Sequence, residues 1–341
     1  MQMPLHRPPH VVSPNASRVD RSSLPSELAD RLLAGETLCI TDRFATGRAV
    51  YRALGRRLPL PPRTASRAEK KAHKAKRNQA ARRLLAPIEN HQIALSESPP
   101  CGFLPELYPD TPDFFVSFQA AEDLTRAWRY FQEGVDLTVL GHRIHPYYAT
   151  YAPTRTEHLE LFATWLAAYE GATSAAADVG TGSGVLALLL ANAGFETVFA
   201  TDVNPNAIES VKRELVRFPA PVEPKEADLL DGVPTVDLIV FNPPWIRGVV
   251  KRPLDQALYF EDGLFERFFD QAHATLAPHG RVVLVFSNVL RLVNTQDAHP
   301  IDRELASGRF QLVSRLTRKV APSKELRRRQ EKVEVWELKK S

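Results

Sequence analysis

Three carboxylates and one amide stand at the ends of short apolar runs in the second half of this 341-residue chain, each where a ligand could be held. Asp178 lies inside a glycine-rich turn, Asp178-Val179-Gly180-Thr181-Gly182-Ser183-Gly184. A carboxylate in such a turn repels a phosphate but welcomes an ammonium or a hydroxyl donor. Asp202 closes the run Thr197-Val198-Phe199-Ala200-Thr201-Asp202, roughly 20 residues past the turn, where an acid can accept from two ribose hydroxyls. Asp228 closes residues 222–227 and could accept from an adenine amino group. Asn242 opens Asn242-Pro243-Pro244-Trp245. The prolines fix φ and remove two N–H donors, so the loop is rigid and offers acceptors. The Asn242 side-chain oxygen and the Pro243 carbonyl could accept both hydrogens of a planar –NH2 group, and Trp245 could stack on it.

These groups need a scaffold that brings four chain positions to one edge. Residues 175–179 are an apolar run too short for a helix, bounded by Gly171 and Gly180, and Val185-Leu186-Ala187-Leu188-Leu189-Leu190 after the turn is strongly helix-forming. Glycines at Gly180, Gly182 and Gly184 let the backbone turn sharply and approach a ligand closely. The turn is not a dinucleotide fingerprint, because Val185 stands where the third glycine is needed, and not a nucleophile elbow, because Gly182 takes the serine position. From residue 154 onward strand and helix patterns alternate. They predict a helix over 154–169, capped by Thr154 or Thr156, further strands at 197–202, 222–227, 236–241, 281–286, 310–317 and 331–338, and helices reaching Arg217 and over 263–277. Alternation of this kind predicts a parallel sheet covered by helices on both faces, with ligands beyond the carboxyl ends of its strands.

The segments ADVGTGSGVLALLLA, ATDVNPNAI, ADLL and DLIVFNPPW resemble class I S-adenosylmethionine-dependent methyltransferases of the "small methyltransferase" group. That group includes release-factor glutamine methyltransferases and ribosomal-RNA guanine and adenine N-methyltransferases. The resemblance covers residues 151–338 and implies an α/β, Rossmann-like seven-stranded sheet whose last strand is antiparallel. It also implies an enzyme with S-adenosyl-L-methionine as cofactor. Asp178, Gly180, Thr181, Gly182 and Gly184 would serve the methionine end, Asp202 the ribose and Asp228 the adenine. Asn242, Pro243, Pro244 and Trp245 would serve the accepting nitrogen, with Asn242 also at the cofactor. The chain departs from the glutamine enzymes in carrying Trp245 where they usually carry tyrosine, and it echoes their upstream proline-arginine-acid cap only loosely, in Pro153, Arg155 and Glu157.

The expected domains are a disordered tail (1–23), a mostly helical N-terminal region (24–134) and the methyltransferase domain (135–341). In the N-terminal region the patterns predict helices at 24–34, 47–58 and 119–132, a short strand at 38–41 and a loop at 99–112. Residues 63–85 set nine basic side chains against Glu69 alone, which reads as a solvated helix or a phosphate-binding one; no aromatic is interleaved to stack on bases. His142 and His145 fall on opposite faces of an expected hairpin, so no metal site is expected. Cys39 and Cys101 are isolated, which suits a reducing compartment. The N-terminus has no apolar signal core and no apolar run nears membrane-spanning length, so a cytoplasmic protein without membrane association is expected.

Net charge is +4, permitting an acidic partner without requiring one. Arg247, Lys251 and Arg252 after Trp245 fall on the substrate side. So do Arg318, Lys319, Lys324, Arg327, Arg328 and Arg329, which follow the sixth strand. This charge favours N-methylation of an RNA base, with a ribosomal or translation-apparatus partner. Motif resemblance favours a protein glutamine. A DNA base, a small-molecule amine and an inactive cofactor-binding module that binds RNA remain alternatives, and the oligomeric state is open.

Overall fold

The computed structural model describes residues 4–62, 65–153, 155–248, 258–293, 299–320 and 331–341. The chain divides into two units, Met1–His6 with Tyr130–Ser341, and Arg7–Arg129. The boundary falls inside a helix, Phe118–Glu133.

In the larger unit the apolar runs become a seven-stranded sheet. Its strands are β1 (Ala175–Val179), β2 (Thr197–Asp202), β3 (Val222–Glu226), β4 (Val236–Phe241), β5 (Leu276–Ser287), β6 (Phe310–Lys319) and β7 (Lys332–Lys340), in the spatial order β3-β2-β1-β4-β5-β7-β6. β1 to β5 are mutually parallel, and β7 runs antiparallel to both β5 and β6, as the resemblance implied. The register sets Ala177 between Phe199 and Ile239, so β1, β2 and β4 end together.

Central parallel strands are buried on both faces, which is why they read as unbroken apolar runs. Alternate residues feed two cores. On one face Ala176, Val240 and Val283 pack with Leu159 and Phe162 of α1 (Glu157–Leu166), Leu186 and Leu190 of α2 (Val185–Asn192) and Val211 of α3 (Pro205–Arg217). On the other, Ala177, Ile239 and Leu284 pack with Phe265, Phe268 and Phe269 of α4 (Leu264–Thr275). Two shorter helices, α5 (Val289–Val293) and α6 (Pro300–Ser307), follow β5. Helix α1 is shorter than its apolar pattern. Thr156 stands at its cap, but the hydroxyl donates to Glu160 Oε1 at 2.8 Å instead of capping the backbone; Thr154 lies outside the described residues.

The N-terminal unit is built around a six-stranded sheet. Its main path runs His10–Val11, Phe114–Ser117, Leu84–Glu89, Leu38–Ile40, Ser17–Val19, and Gln92–Ile93 pairs with Leu84–Glu89. The helices Pro25–Leu33, Phe44–Arg57, Arg67–Arg82, Leu104–Leu107 and most of Phe118–Glu133 hold the larger share of its regular structure. A mostly helical region was expected; the sheet beyond residues 38–41 was not. The tail at 1–23 is corrected as well. His10 pairs with Val116, Ser17 with Leu38 and Val19 with Ile40. Ladder hydrogen bonds order this segment through its main chain, so its poor apolar content gave no warning. The expected loop at 99–112 contains the helix Leu104–Leu107 and the fully buried Phe103 and Tyr108.

Two glycines of the helix Phe44–Arg57 separate packing from propensity. A Cβ on Gly47 would stand 2.2 Å from the fully buried Phe118 ring, whereas one on Gly55 would meet only the tip of Arg77 at 3.7 Å. Gly55→Ala should stabilise by ~0.5–1 kcal/mol, as alanine does in a helix interior. Gly47→Ala should instead destabilise by about 1–3 kcal/mol through overpacking. Denaturant midpoints of the two variants should therefore move in opposite directions from wild type.

Candidate active site

The carboxyl ends of β1, β2 and β4 open onto a cleft of about 990 Å³ within the larger unit. Gly180, Thr181, Gly182, Asp202, Asp228, Asn242, Pro243, Pro244 and Trp245 all line it. Asp178 and Gly184 do not form its wall; they hold the turn from beneath.

The turn takes its shape from three left-handed positions, φ +62° at Gly180, +55° at Gly182 and +83° at Gly184, a region costly for any side chain with a Cβ. Thr181 N–H donates to the Thr201 carbonyl at 2.8 Å, fastening the turn to β2, and Gly184 N–H donates to the Thr181 carbonyl at 2.9 Å. Asp178, 1 % exposed, accepts on Oδ2 from the Thr181 hydroxyl at 2.7 Å and from Ala187 N–H at 2.9 Å. One carboxylate thus joins the strand end, the turn and the first turn of α2. Burial, with a smaller push from the nearby Asp202, raises its carboxyl to about 7 against the pull of those two hydrogen bonds.

Asp202 completes the frame from the cleft side. Its Oδ2 accepts from Gly182 N–H at 2.9 Å and its Oδ1 from Asn204 N–H at 2.8 Å, and the four lone pairs of a carboxylate exceed the N–H groups that face it. Burial raises this carboxyl too, opposed by the backbone N–H groups of Asn204, Gly182 and Val203. Asp228 is more open and forms an ion pair with Arg267 of α4 at 3.6 Å, a partner the sequence did not suggest.

The Asn-Pro-Pro-Trp loop has an internal tie that sequence reasoning missed. Trp245 Nε1–H donates to Asn242 Oδ1 at 3.1 Å and to the Val285 carbonyl at 3.3 Å. An indole N–H only donates, so the Asn242 atom it faces is the oxygen, and the amide orientation is set. Trp245 packs against both cores of the unit, and the His158 ring stands edge-on to it at 5.6 Å. His158 lines the cleft while 4 % exposed, and burial pushes its pKa down to about 4, so it is neutral at pH 7. Nothing in the apolar stripe of α1 had marked it.

A third wall comes from residues 149–153, also missed. Asn204 caps α3 by accepting from Asn206 N–H at 3.1 Å and donates from Nδ2 to the Ala149 carbonyl at 2.9 Å. Asn206 Nδ2 holds the Tyr148 carbonyl at 2.9 Å, and the Thr150 hydroxyl donates to the Asn206 carbonyl at 3.1 Å. Pro153 and Arg155 line the cleft, and Arg155 faces Glu157 at 3.9 Å and Glu331 at 3.6 Å.

Of the basic residues expected on this face, the two described arginines are paired with acids. Arg247 pairs with Asp262 at 2.7 Å and Arg318 with Glu160 at 2.7 Å; Lys319 is exposed. Arg63, Lys251, Arg252, Lys324, Arg327, Arg328 and Arg329 lie outside the described residues. His142 stacks on Phe218 at 4.0 Å and His145 Nδ1 stands 3.6 Å from Glu214. Among the described residues no group of three or more His, Cys, Asp or Glu could hold a metal ion, and no helix is long and apolar enough to cross a membrane.

Residues 160–299 match the family model of the methyltransferase small domain. The domain built on that segment is a class I S-adenosylmethionine-dependent methyltransferase. Its fold is similar to a ribosomal protein L11 methylase from Lactobacillus delbrueckii subsp. bulgaricus (19 % identity, 56 % of this chain and 82 % of that one, TM-score 0.40). A B. subtilis tRNA methyltransferase is similar as well (14 % identity, 52 % and 65 %, TM-score 0.38). So is a T. thermophilus 16S rRNA N2 methyltransferase solved with AdoMet and guanosine (24 % identity, 55 % and 43 %, TM-score 0.37). No curated protein matches the chain.

The buried Asp178 gives this methyltransferase a pH signature. A carboxyl whose pKa is higher in the folded chain than in the unfolded one binds its proton more tightly when folded. Its stabilising contribution is complete below the ordinary carboxyl value of 3.8, is lost as pH rises toward about 7, and is level above. Asp178→Asn keeps an acceptor for Thr181 and Ala187 but does not titrate. The melting temperature of wild type relative to this variant should decline between pH 4 and 7; a difference constant across that range would contradict the assignment.

Proposed function

We propose that the methyltransferase domain methylates a planar –NH2 group, with an exocyclic amine of an RNA base as the substrate. The observation that carries this reading is the Asn242 amide, aimed by the Trp245 N–H at 3.1 Å and standing in the wall of the cleft. A carbonyl oxygen has two lone pairs, and Trp245 takes one, so the other can accept a substrate N–H. The Pro243 carbonyl accepts the second hydrogen. Both acceptors draw the N–H hydrogens toward them, which leaves the nitrogen electron-rich and its lone pair directed across the cleft.

The cleft fits S-adenosylmethionine. No Cβ fills the cradle at Gly180 and Gly182, where the nearest atoms a Cβ would meet are 3.5 and 4.0 Å away, and Asp202 keeps free lone pairs beside it. At about 990 Å³ the cleft lies at the upper end of ordinary ligand pockets, room for a cofactor and a flat acceptor together. Bound there, S-adenosylmethionine would supply an electrophilic methyl group on its sulfonium. In this reading Asp202 holds the ribose hydroxyls, Asp228 meets the adenine amine, and the backbone of Gly180, Thr181 and Gly182 receives the amino-acid end. Asp178 serves by shaping the turn, and Gly184 by admitting α3, since a Cβ there would stand 3.0 Å from Val211.

Methyl-labelled cofactor incubated with the protein and a lysate from cells lacking it tests the substrate. Label released by ribonuclease is expected; label retained on peptide glutamine would replace the RNA base with a protein amide. Asn242→Ala should slow transfer by about 10²-fold or more, the order seen when a positioned hydrogen-bonding group is removed from an active site. Trp245→Phe, which keeps an aromatic ring, though a smaller one, and loses the donor, should slow it by roughly tenfold, the worth of one hydrogen bond. Cofactor affinity should hold in both variants, and unchanged transfer in Asn242→Ala would remove the acceptor role.

A further inference from the structure

Among the described residues, arginines of both units form ion pairs with carboxylates, while one N-terminal helix gathers cations that do not. Among the described arginines of the methyltransferase unit, each except Arg143 has a carboxylate within 3.9 Å, from Arg155 with Glu157 and Glu331 to Arg318 with Glu160. The N-terminal helix Arg67–Arg82 is built the other way. It sets seven cations against one acid, Glu69. That acid is committed to a capping box, accepting from Ser66 N–H at 2.7 Å while its own N–H donates to the Ser66 hydroxyl at 3.2 Å. Lys71, Lys74, Lys76 and Arg82 are exposed, and none has a carboxylate partner among the described residues. The whole chain carries only +4, so without this helix it would be slightly acidic.

Such a helix is not the economical way to keep a surface wet. Like charges three or four residues apart, as at Lys70/Lys74 and Lys71/Lys74, each cost about 0.2–0.5 kcal/mol, and interleaved glutamates would have reversed the sign. The alanines keep the segment helical despite that cost. They also shape it. Ala80 and Ala81 are buried against the unit, while Lys71, Lys74 and Arg82 fall within an arc of roughly 80° on the exposed side. Ala68 and Ala75 border that arc and Asn78 lies within it, all three exposed, so no bulky side chain keeps a polyanion off the row. Lys71 to Arg82 spans roughly 16 Å at about 1.5 Å per residue. The face bears no aromatic side chain, so it offers nothing for a base to stack on and suits a phosphate backbone.

We propose that the exposed face of this helix docks the phosphate backbone of the RNA substrate, supplying affinity without sequence choice and leaving choice of base to the methyltransferase cleft. The proposal rests on the RNA reading above and adds where the RNA is gripped.

Fluorescence anisotropy of a labelled 20-base-pair RNA duplex with the full chain, from 50 to 300 mM KCl, tests it. The variant carries Lys71→Gln, Lys74→Gln and Arg82→Gln, all at exposed positions where glutamine keeps the helix propensity. Its slope of log affinity against log salt should be shallower by about 2–3, close to one for each phosphate the helix no longer neutralises. Affinity at 100 mM should fall at least tenfold, with circular dichroism and cofactor affinity unchanged. In methyl transfer to RNA the variant should show a raised KM and an unaltered kcat. A variant that binds the duplex with the wild-type slope, or a wild type that does not bind it, overturns the proposal. Label on RNA together with a wild-type slope in the variant would sink the docking face and leave the RNA reading intact. Binding abolished in the variant while label appears on a protein glutamine would keep the face and sink the RNA reading.

Discussion

The site depends on a buried carboxylate that stands behind the cleft wall and not in it. Asp178 sits at the end of β1 with one oxygen shared between the Thr181 hydroxyl and the Ala187 N–H. Burying a carboxyl is expensive, and here it holds a turn whose three left-handed glycines would otherwise be free to sample many shapes. Asp202 meets the same turn from the cleft side through Gly182 N–H at 2.9 Å. Two acids of the same type, near the ends of neighbouring strands, therefore do different work. Asp178 sets shape and Asp202 presents lone pairs.

The opposite wall follows the same division between the group that is shown to the cleft and the group that aims it. Asn242 stands in the wall, and Trp245 fixes which of its ends faces where. Trp245 is in turn anchored by the Val285 carbonyl and by packing against both cores. A tryptophan in place of tyrosine is therefore a change of hydrogen-bond geometry as well as of ring size. His158, neutral at pH 7, stands edge-on to the indole.

Much of this was readable in the sequence because it rests on local rules. Glycine spacing, apolar runs ended by acids and the rigidity of Pro243-Pro244 each carry a signal within a few residues, and they located the sheet and the cleft residues at its strand ends, while the antiparallel last strand came from the family resemblance. What escaped was long-range or made by the main chain. The Asn204 link to Ala149 spans 55 residues, and the strands His10–Val11 and Ser17–Val19 are ordered by ladder pairing that side-chain composition does not record. The basic helix stops at Arg82 because Leu84 and Leu85 enter a strand, a tertiary demand that its alanine-rich pattern does not show. The exposed cations were visible in sequence, but that the arginines of the other unit are mostly paired was not.

The most direct test of the division between the two carboxylates is a calorimetric titration of S-adenosylmethionine into wild type and Asp202→Asn, with the melting temperature of each recorded first. Asp202→Asn is expected to melt close to wild type yet bind at least tenfold more weakly, because an acceptor for the ligand's hydroxyls has been weakened while the turn is still held by Asp178. Wild-type affinity in Asp202→Asn would contradict that division.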